Sequence, residues 1–294
     1  LEFRRGSSDL NLTDYKKGTE ELESLSIMFI LKALNDSGIK TIKGNTFTLK
    51  DLNAAGRHLK LAERLMEILA GNGVINISDE RMEFTDTFDN YNYDKISENI
   101  NNKYPQVGAE LNLLNKCGCK LSEVLSGKAD PLQLLFPDGD LSQTTLLYKD
   151  SPGFSAMNIA VKNIVKKIAS ELKGKRKLKI LELGAGTGST SSFLFDVLPE
   201  KDTRYVFTDI SPAFFAKAKD RFGKYDFIEY KILDIERDPM TQGFSENEFD
   251  IVIASNVIHA TKDLSVTAGN ILKLLSPNGI LILNEVTVKS SWID

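Results

Sequence analysis

Lys179-Ile-Leu-Glu-Leu-Gly-Ala-Gly-Thr-Gly-Ser189 is an apolar run that ends in three alternate glycines and passes directly into a helix-like segment, Thr190 to Leu198. This is the pattern of a ligand-binding strand-loop-helix. Gly184, Gly186 and Gly188 lack Cβ atoms, so the backbone can turn sharply and come within contact distance of a small molecule. The next apolar run, Arg204-Tyr-Val-Phe-Thr-Asp209, places a carboxylate at its end, 21 residues after Gly188, where it suits two ribose hydroxyls. A third run ends in Leu233-Asp234-Ile235, a carboxylate with an apolar neighbour fit to hold the amino edge and the face of an adenine. A fourth, Phe249 to Ala254, leads into Ser-Asn256-Val-Ile-His259. Four successive strand ends thus carry loop chemistry, and in open α/β sheets ligands bind outside the carboxyl ends of the strands.

Dinucleotides and S-adenosylmethionine share this arrangement, and the details favour the second. A dinucleotide fingerprint has Gly-x-Gly-x-x-Gly or a final Ala, whereas position 189 is Ser. The loop reads Glu182-x-Gly-x-Gly-x-Gly instead.

The 294 residues suffice for a substantial core and most simply for two domains. Lys and Arg number 37 against 41 Asp and Glu, and the net charge of -4 offers no general attraction to nucleic acid or to an anionic membrane. Cys117 and Cys119, separated by one glycine, make an improbable disulfide and an incomplete metal site. We therefore expect a reduced, cytoplasmic protein without a bound metal. No signal peptide or membrane-length apolar run is visible. The opening Leu-Glu-Phe-Arg-Arg-Gly-Ser-Ser reads as a fragment end or a cloning remnant.

The fold class expected is α/β. A mainly helical N-terminal domain spans residues 1–153, and a Rossmann-like parallel sheet follows over 154–294. Apolar spacing predicts an amphipathic helix over Glu20 to Leu34. Leu49 to Ala55, Leu61 to Ala70, Val74 to Ile77 and Met82 to Phe84 form a winged-helix pattern. Between residues 50 and 89, however, five Lys or Arg face eight Asp or Glu, which argues for a packing or lid module and against DNA. Residues 85–105 read as a polar connection, with helices over 106–126 and 154–173. From residue 178 strands and helices alternate at 178–183, 190–198, 204–209, 212–222, 227–232, 249–254, 264–275 and 279–286, which implies crossover helices on a parallel sheet.

His259 is one of two histidines and lies just past the fourth strand end, where an imidazole can take a proton near neutrality. Glu285 stands at the end of the last strand, Ile280 to Val286, placed to hold the imidazole tautomer and stabilise the imidazolium. The plainer alternative is a strand cap beside a solvated carboxylate. Tyr148 either anchors its loop or lines the active site. His58 falls in a turn between helices and receives no role.

The runs ILELGAGTGSTSSFL, YVFTDISPAFFAKAKDRF, LDIERDPMTQGF, FDIVIASNVIHATKDL and LLSPNGILILNEVT closely resemble the methyltransferase domains of modular polyketide synthases, and most of all their C-methyltransferases. The resemblance covers residues 145–294, and more loosely the helical region before it resembles that family's lid. It implies a class I methyltransferase core that binds S-adenosylmethionine. It also implies a His259/Glu285 dyad that removes a proton from the α-carbon of a β-ketoacyl chain, tethered through phosphopantetheine to an acyl carrier protein among neighbouring synthase domains. Gly184, Gly186 and Gly188 then approach the methionine part and ribose, within a cofactor site that also takes in Glu182 and Ile210. Asp209 holds the ribose hydroxyls, Asp234 and Ile235 flank adenine, and Asn256 lies near the methyl group. Such cores have seven strands, so a chain that stops just after the fifth is expected to leave a sheet edge unpaired.

Other readings compete with this one. O-methylation of a β-hydroxyl or enol oxygen uses much the same motifs, and a non-catalytic module of a synthase would need no base. N-methylation of a peptidyl amine makes less use of a His/Glu pair. Adenine methylation in nucleic acid lacks its Asp/Asn-Pro-Pro-aromatic cluster, and a winged-helix regulator with a Rossmann sensor would bind DNA in a salt-dependent way.

Overall fold

The computed structural model describes residues 10–88, 91–135, 137, 147, 151–288 and 290–292. Two compact units account for them: Leu10–Gly153 with the segment from Val288 onward, and Phe154–Thr287.

In the first unit, helix α1 (Leu12–Asp36) starts well before Glu20, because the Asn11 side chain accepts the Asp14 amide and caps it. Leu22, Leu25 and Phe29 recur at helical spacing and are buried against Ile100, Val107 and Leu111. A three-stranded antiparallel sheet of β1 (Thr46–Phe47), β2 (Ile75–Ser78) and β3 (Arg81–Phe84), in the order β1-β3-β2, packs with α2 (Leu59–Gly71) over Phe47, Leu65, Leu69 and Phe84. The helix expected over Leu49 to Ala55 is only a 3₁₀ turn, Leu49–Leu52, held by a Thr48/Asp51 capping box.

Two further expectations are corrected here. The polar connection contains α3 (Tyr93–Lys103), whose Asn- and Asp-rich exposed face masks a stripe of Tyr93, Ile96 and Ile100 turned to the core. The single helix over 106–126 is two, α4 (Gly108–Gly118) and α5 (Leu121–Leu125). The break falls at Gly118, where a Cβ would lie 2.4 Å from the Phe29 ring. A short helix, α6 (Pro131–Leu135), follows. No helix among the described residues is long and apolar enough to cross a membrane.

Helix α7 (Pro152–Leu172) leads into the second unit. Its strands β4 (Leu178–Leu183), β5 (Thr203–Asp209), β6 (Ile228–Ile232), β7 (Phe249–Ser255) and β8 (Leu275–Asn284) form one parallel sheet in the order β6-β5-β4-β7-β8. Helices α8 (Ser189–Leu194), α9 (Ala213–Phe222) and α10 (Leu264–Leu274) lie in the connections. The three inner strands are nearly continuous apolar runs because both faces are covered. One face carries Ile180, Tyr205, Phe207 and Ile251 under Phe195 and Phe222, and the other carries Leu181, Val206 and Val252 under Ile271 and Leu274. The strand order reverses between β4 and β7, so the helices that follow them pack on opposite faces of the sheet, the arrangement that places a ligand crevice at the carboxyl ends.

Candidate active site

The glycine loop leaves β4 with φ of +53° at Gly184 and +52° at Gly186, a region that favours glycine. The two positions serve different ends. A Cβ on Gly184 would lie 2.2 Å from the Val257 side chain, so this glycine lets the loops after β4 and β7 touch. A Cβ on Gly186 would meet nothing closer than the Gly184 carbonyl at 3.8 Å, leaving open space beside the backbone. Gly188 precedes α8 and abuts the Phe222 ring.

Asp209 ends β5 almost fully buried, with Oδ2 accepting the Gly186 amide at 3.0 Å and Oδ1 the Ser211 amide at 2.9 Å. A carboxylate offers about four lone-pair directions, so two remain for hydroxyl donors. Asp209 shares a cleft with Gly184, Ile210, Asp234, Ile235 and Val257. A bare glycine backbone, a carboxylate with spare acceptor capacity, and an apolar wall beside a second carboxylate fit the methionine part, ribose and adenine of S-adenosylmethionine.

Glu182 is placed differently from expectation. It is enclosed beneath the loop, where the hydroxyls of Ser191 and Tyr205 donate to its Oε2, the second at 2.7 Å. Side chains alternate along a strand, and this one projects to the aromatic face of the sheet, away from the cleft. Burial pushes its carboxyl up to about 7 against the pull of the two hydroxyls.

The dyad is assembled by strand register. Ser255 on β7 pairs with Asn284 on β8, and the Asn256 amide donates to the Asn284 carbonyl at 2.8 Å. Asn256 itself is left-handed, with φ of +52°, and turns the chain out of the sheet. The amides of Val257 and Ile258 then donate to Oε1 of Glu285 at 2.9 and 2.7 Å. Glu285 Oε2 lies 2.6 Å from His259 Nδ1. The carboxylate side chain is 14% exposed and the imidazole 62%, so the acid is enclosed while the ring stays open to solvent. With Nδ1–H donated to Glu285, Nε2 carries the lone pair.

Tyr148 lies outside the described residues. His58 accepts from its neighbour Arg57 at 3.0 Å, and Cys117 and Cys119 are free thiols. Among the described residues no group of three His, Cys, Asp or Glu could hold a metal ion. The sequence reading missed Glu236, which lines the cleft, and Gln242 and Asn270, whose amides bind the main chain of the loop after β6. Their signal is weak because each acts on backbone, and no motif spacing marks them.

A family model described as a methyltransferase domain matches residues 181–281. The chain is similar to the non-reducing polyketide synthase ausA of Emericella nidulans, with 41% identity over 203 residues, 68% of this chain and 8% of that protein. It is also similar to the 5-methylorsellinic acid synthase of Aspergillus terreus, with 34% identity over 264 residues, 88% of this chain and 10% of that protein. The chain thus spans a tenth or less of the length of these curated relatives. Among solved structures, the CurJ carbon methyltransferase matches with a TM-score of 0.92 and 37% identity, over 100% of this chain and 79% of that one. A shared fold over the whole chain at that identity means that the chain belongs to the carbon methyltransferase domains of polyketide synthases, S-adenosylmethionine-dependent enzymes of the class I fold.

Proposed function

We propose that this domain methylates the α-carbon of a β-ketoacyl chain held as a thioester on the phosphopantetheine arm of an acyl carrier protein, within a larger cytoplasmic synthase. The observation that carries the reading is the 2.6 Å contact between His259 Nδ1 and a Glu285 carboxylate that two main-chain amides already fix.

Bound S-adenosylmethionine supplies an activated methyl group. Gly186 and Asp209 would hold its methionine and ribose parts, and Asp234 with Ile235 would flank its adenine. His259 Nε2 takes the α-proton, whose acidity is raised by the flanking ketone and thioester carbonyls, and an enolate remains on the substrate. Glu285 keeps the imidazole in the right tautomer and stabilises the imidazolium that forms. Both partners are set before the reaction, so little reorganisation is needed at the moment of transfer.

The test is incubation with methyl-labelled cofactor and a β-ketoacyl carrier protein, read by mass spectrometry. Label on the α-carbon is expected, and label found only as a methyl ether would instead mean oxygen transfer. H259A should lower the rate about 10²- to 10⁴-fold, the usual worth of a general base. Its affinity for S-adenosylhomocysteine should stay near that of the parent. An H259A protein that still transfers methyl at the parent rate removes the base assignment.

A further inference from the structure

The loop that carries His259 is held at both ends by carboxylates that follow different strands. At its start, Glu285 accepts the Val257 and Ile258 amides. At its far end the Lys262 amide donates to Oε1 of Glu236, two residues beyond Asp234 on the loop after β6. Lys262 directly precedes Asp263, whose side chain caps α10 through the Ser265 and Val266 amides. A free hinge is thereby absent at either end: one side runs into the β7–β8 pairing and the other into a capped helix.

Glu236 is itself aimed by a braced loop. Its amide donates to Asp234 Oδ1 at 3.0 Å. Gln242 donates to the Asp234 carbonyl at 2.8 Å and accepts the Asp234 amide at 2.9 Å. Buried Asn270 donates to the carbonyls of Ile235 and Arg237 at 2.9 and 3.1 Å. Glu236, Ala260 and Thr261 face the same cleft as Asp209 and Ile235.

We propose that Glu236 is a positioning residue for proton abstraction: it clasps the base-bearing loop to the adenine side of the cofactor cleft, so that filling the cleft stiffens the loop holding His259. The proposal rests on the reading of His259 as the base and of the cleft as the cofactor site. A main-chain N–H bound to an ionised acceptor is stronger than a neutral pair. The ligand that orders Asp234 and Ile235 therefore orders the residue that grips Lys262. Coupling runs through contiguous hydrogen bonds, from Asp234 to Glu236 and from Glu236 to Lys262, three residues from the imidazole.

The whole chain and its E236A and E236Q variants are compared by amide hydrogen exchange with and without S-adenosylhomocysteine, by calorimetric titration with that ligand, and by rate of methyl transfer. E236A removes the acceptor and should speed exchange at Lys262 about tenfold, the worth of one charge-assisted hydrogen bond. It should also bind the ligand several-fold more weakly and lower kcat. E236Q keeps an oxygen acceptor and should recover most of the protection at Lys262. In the parent, ligand should raise that protection; in E236A it should not. Unchanged exchange at Lys262 in E236A, or an equal response to ligand in both proteins, overturns the proposal. If E236A does not fold, the parent decides alone: no ligand-induced protection at Lys262 overturns it. Failure of the base assignment shows separately, since an H259A protein that still methylates leaves Lys262 exchange and ligand binding untouched.

Discussion

Two glycines a turn apart in the same loop should fail in different ways. At either position alanine must enter the left-handed region, at a cost of about 1–2 kcal/mol. G184A adds a collision with Val257, whose amide is bound to Glu285, and so should displace the base loop and lose transfer as well as stability. G186A keeps the base loop and should lose mainly cofactor affinity. Urea denaturation and calorimetry on the two proteins separate these outcomes. Glu182 gives a pH prediction. Its folded-state carboxyl stands at about 7, above the ordinary glutamate value of 4.5, so the unfolded chain ionises first. Stability from this group is complete below about pH 4.5 and is lost as pH rises through 7, by about 3 kcal/mol at most. E182Q should flatten that dependence. Urea midpoints at pH 5 and pH 8 test it: an E182Q curve parallel to the parent's means that the buried carboxyl does not titrate in this window.

Elements of the second unit were the most legible in the sequence, since β4 and β5 are apolar runs that end in chemistry and their expected bounds lie within a residue of those observed. Periodicity failed where burial was one-sided and the exposed face was unfavourable to helix. Helix α3 shows only three apolar positions among Asn, Asp and Glu, and tertiary packing decides it, through Tyr93 stacked on Phe29 with centroids 5.4 Å apart. Because its propensity is weak, α3 should depend strongly on its cap. N92A removes the side chain that accepts the Lys95 amide and should cost about 1 kcal/mol. Thermal unfolding checks the value, and no change means that Ile96 and Ile100 suffice without the cap. At the candidate site, Asp209, Asp234 and His259 were legible as candidates because they end or follow strands. Glu182 also lies in the motif, yet alternation along β4 turns it inward, and one-dimensional spacing does not reveal which way a residue near a strand end faces.

The whole chain divides into two units with separate cores, and the cleft lies wholly within Phe154–Thr287. Ligand binding raises stability by mass action, about 2.7 kcal/mol at a hundredfold excess over Kd. Saturating S-adenosylhomocysteine should therefore shift the unfolding of the second unit and slow its core amides. The core around Leu65 and Phe84 in the first unit should exchange as before. Hydrogen exchange resolved by peptide distinguishes the two, and equal protection in both cores would mean that they unfold as one.

The register of β7 against β8 has a consequence for synthesis on the ribosome. His259 and Glu285 are 26 positions apart, and the carboxylate arrives only when the fifth strand of the sheet docks. A nascent chain that has emerged as far as His259 holds an imidazole with no partner to choose its tautomer. The carboxylate that holds the imidazole follows β8 directly, so the His259–Glu285 contact forms only once β8 has paired with β7.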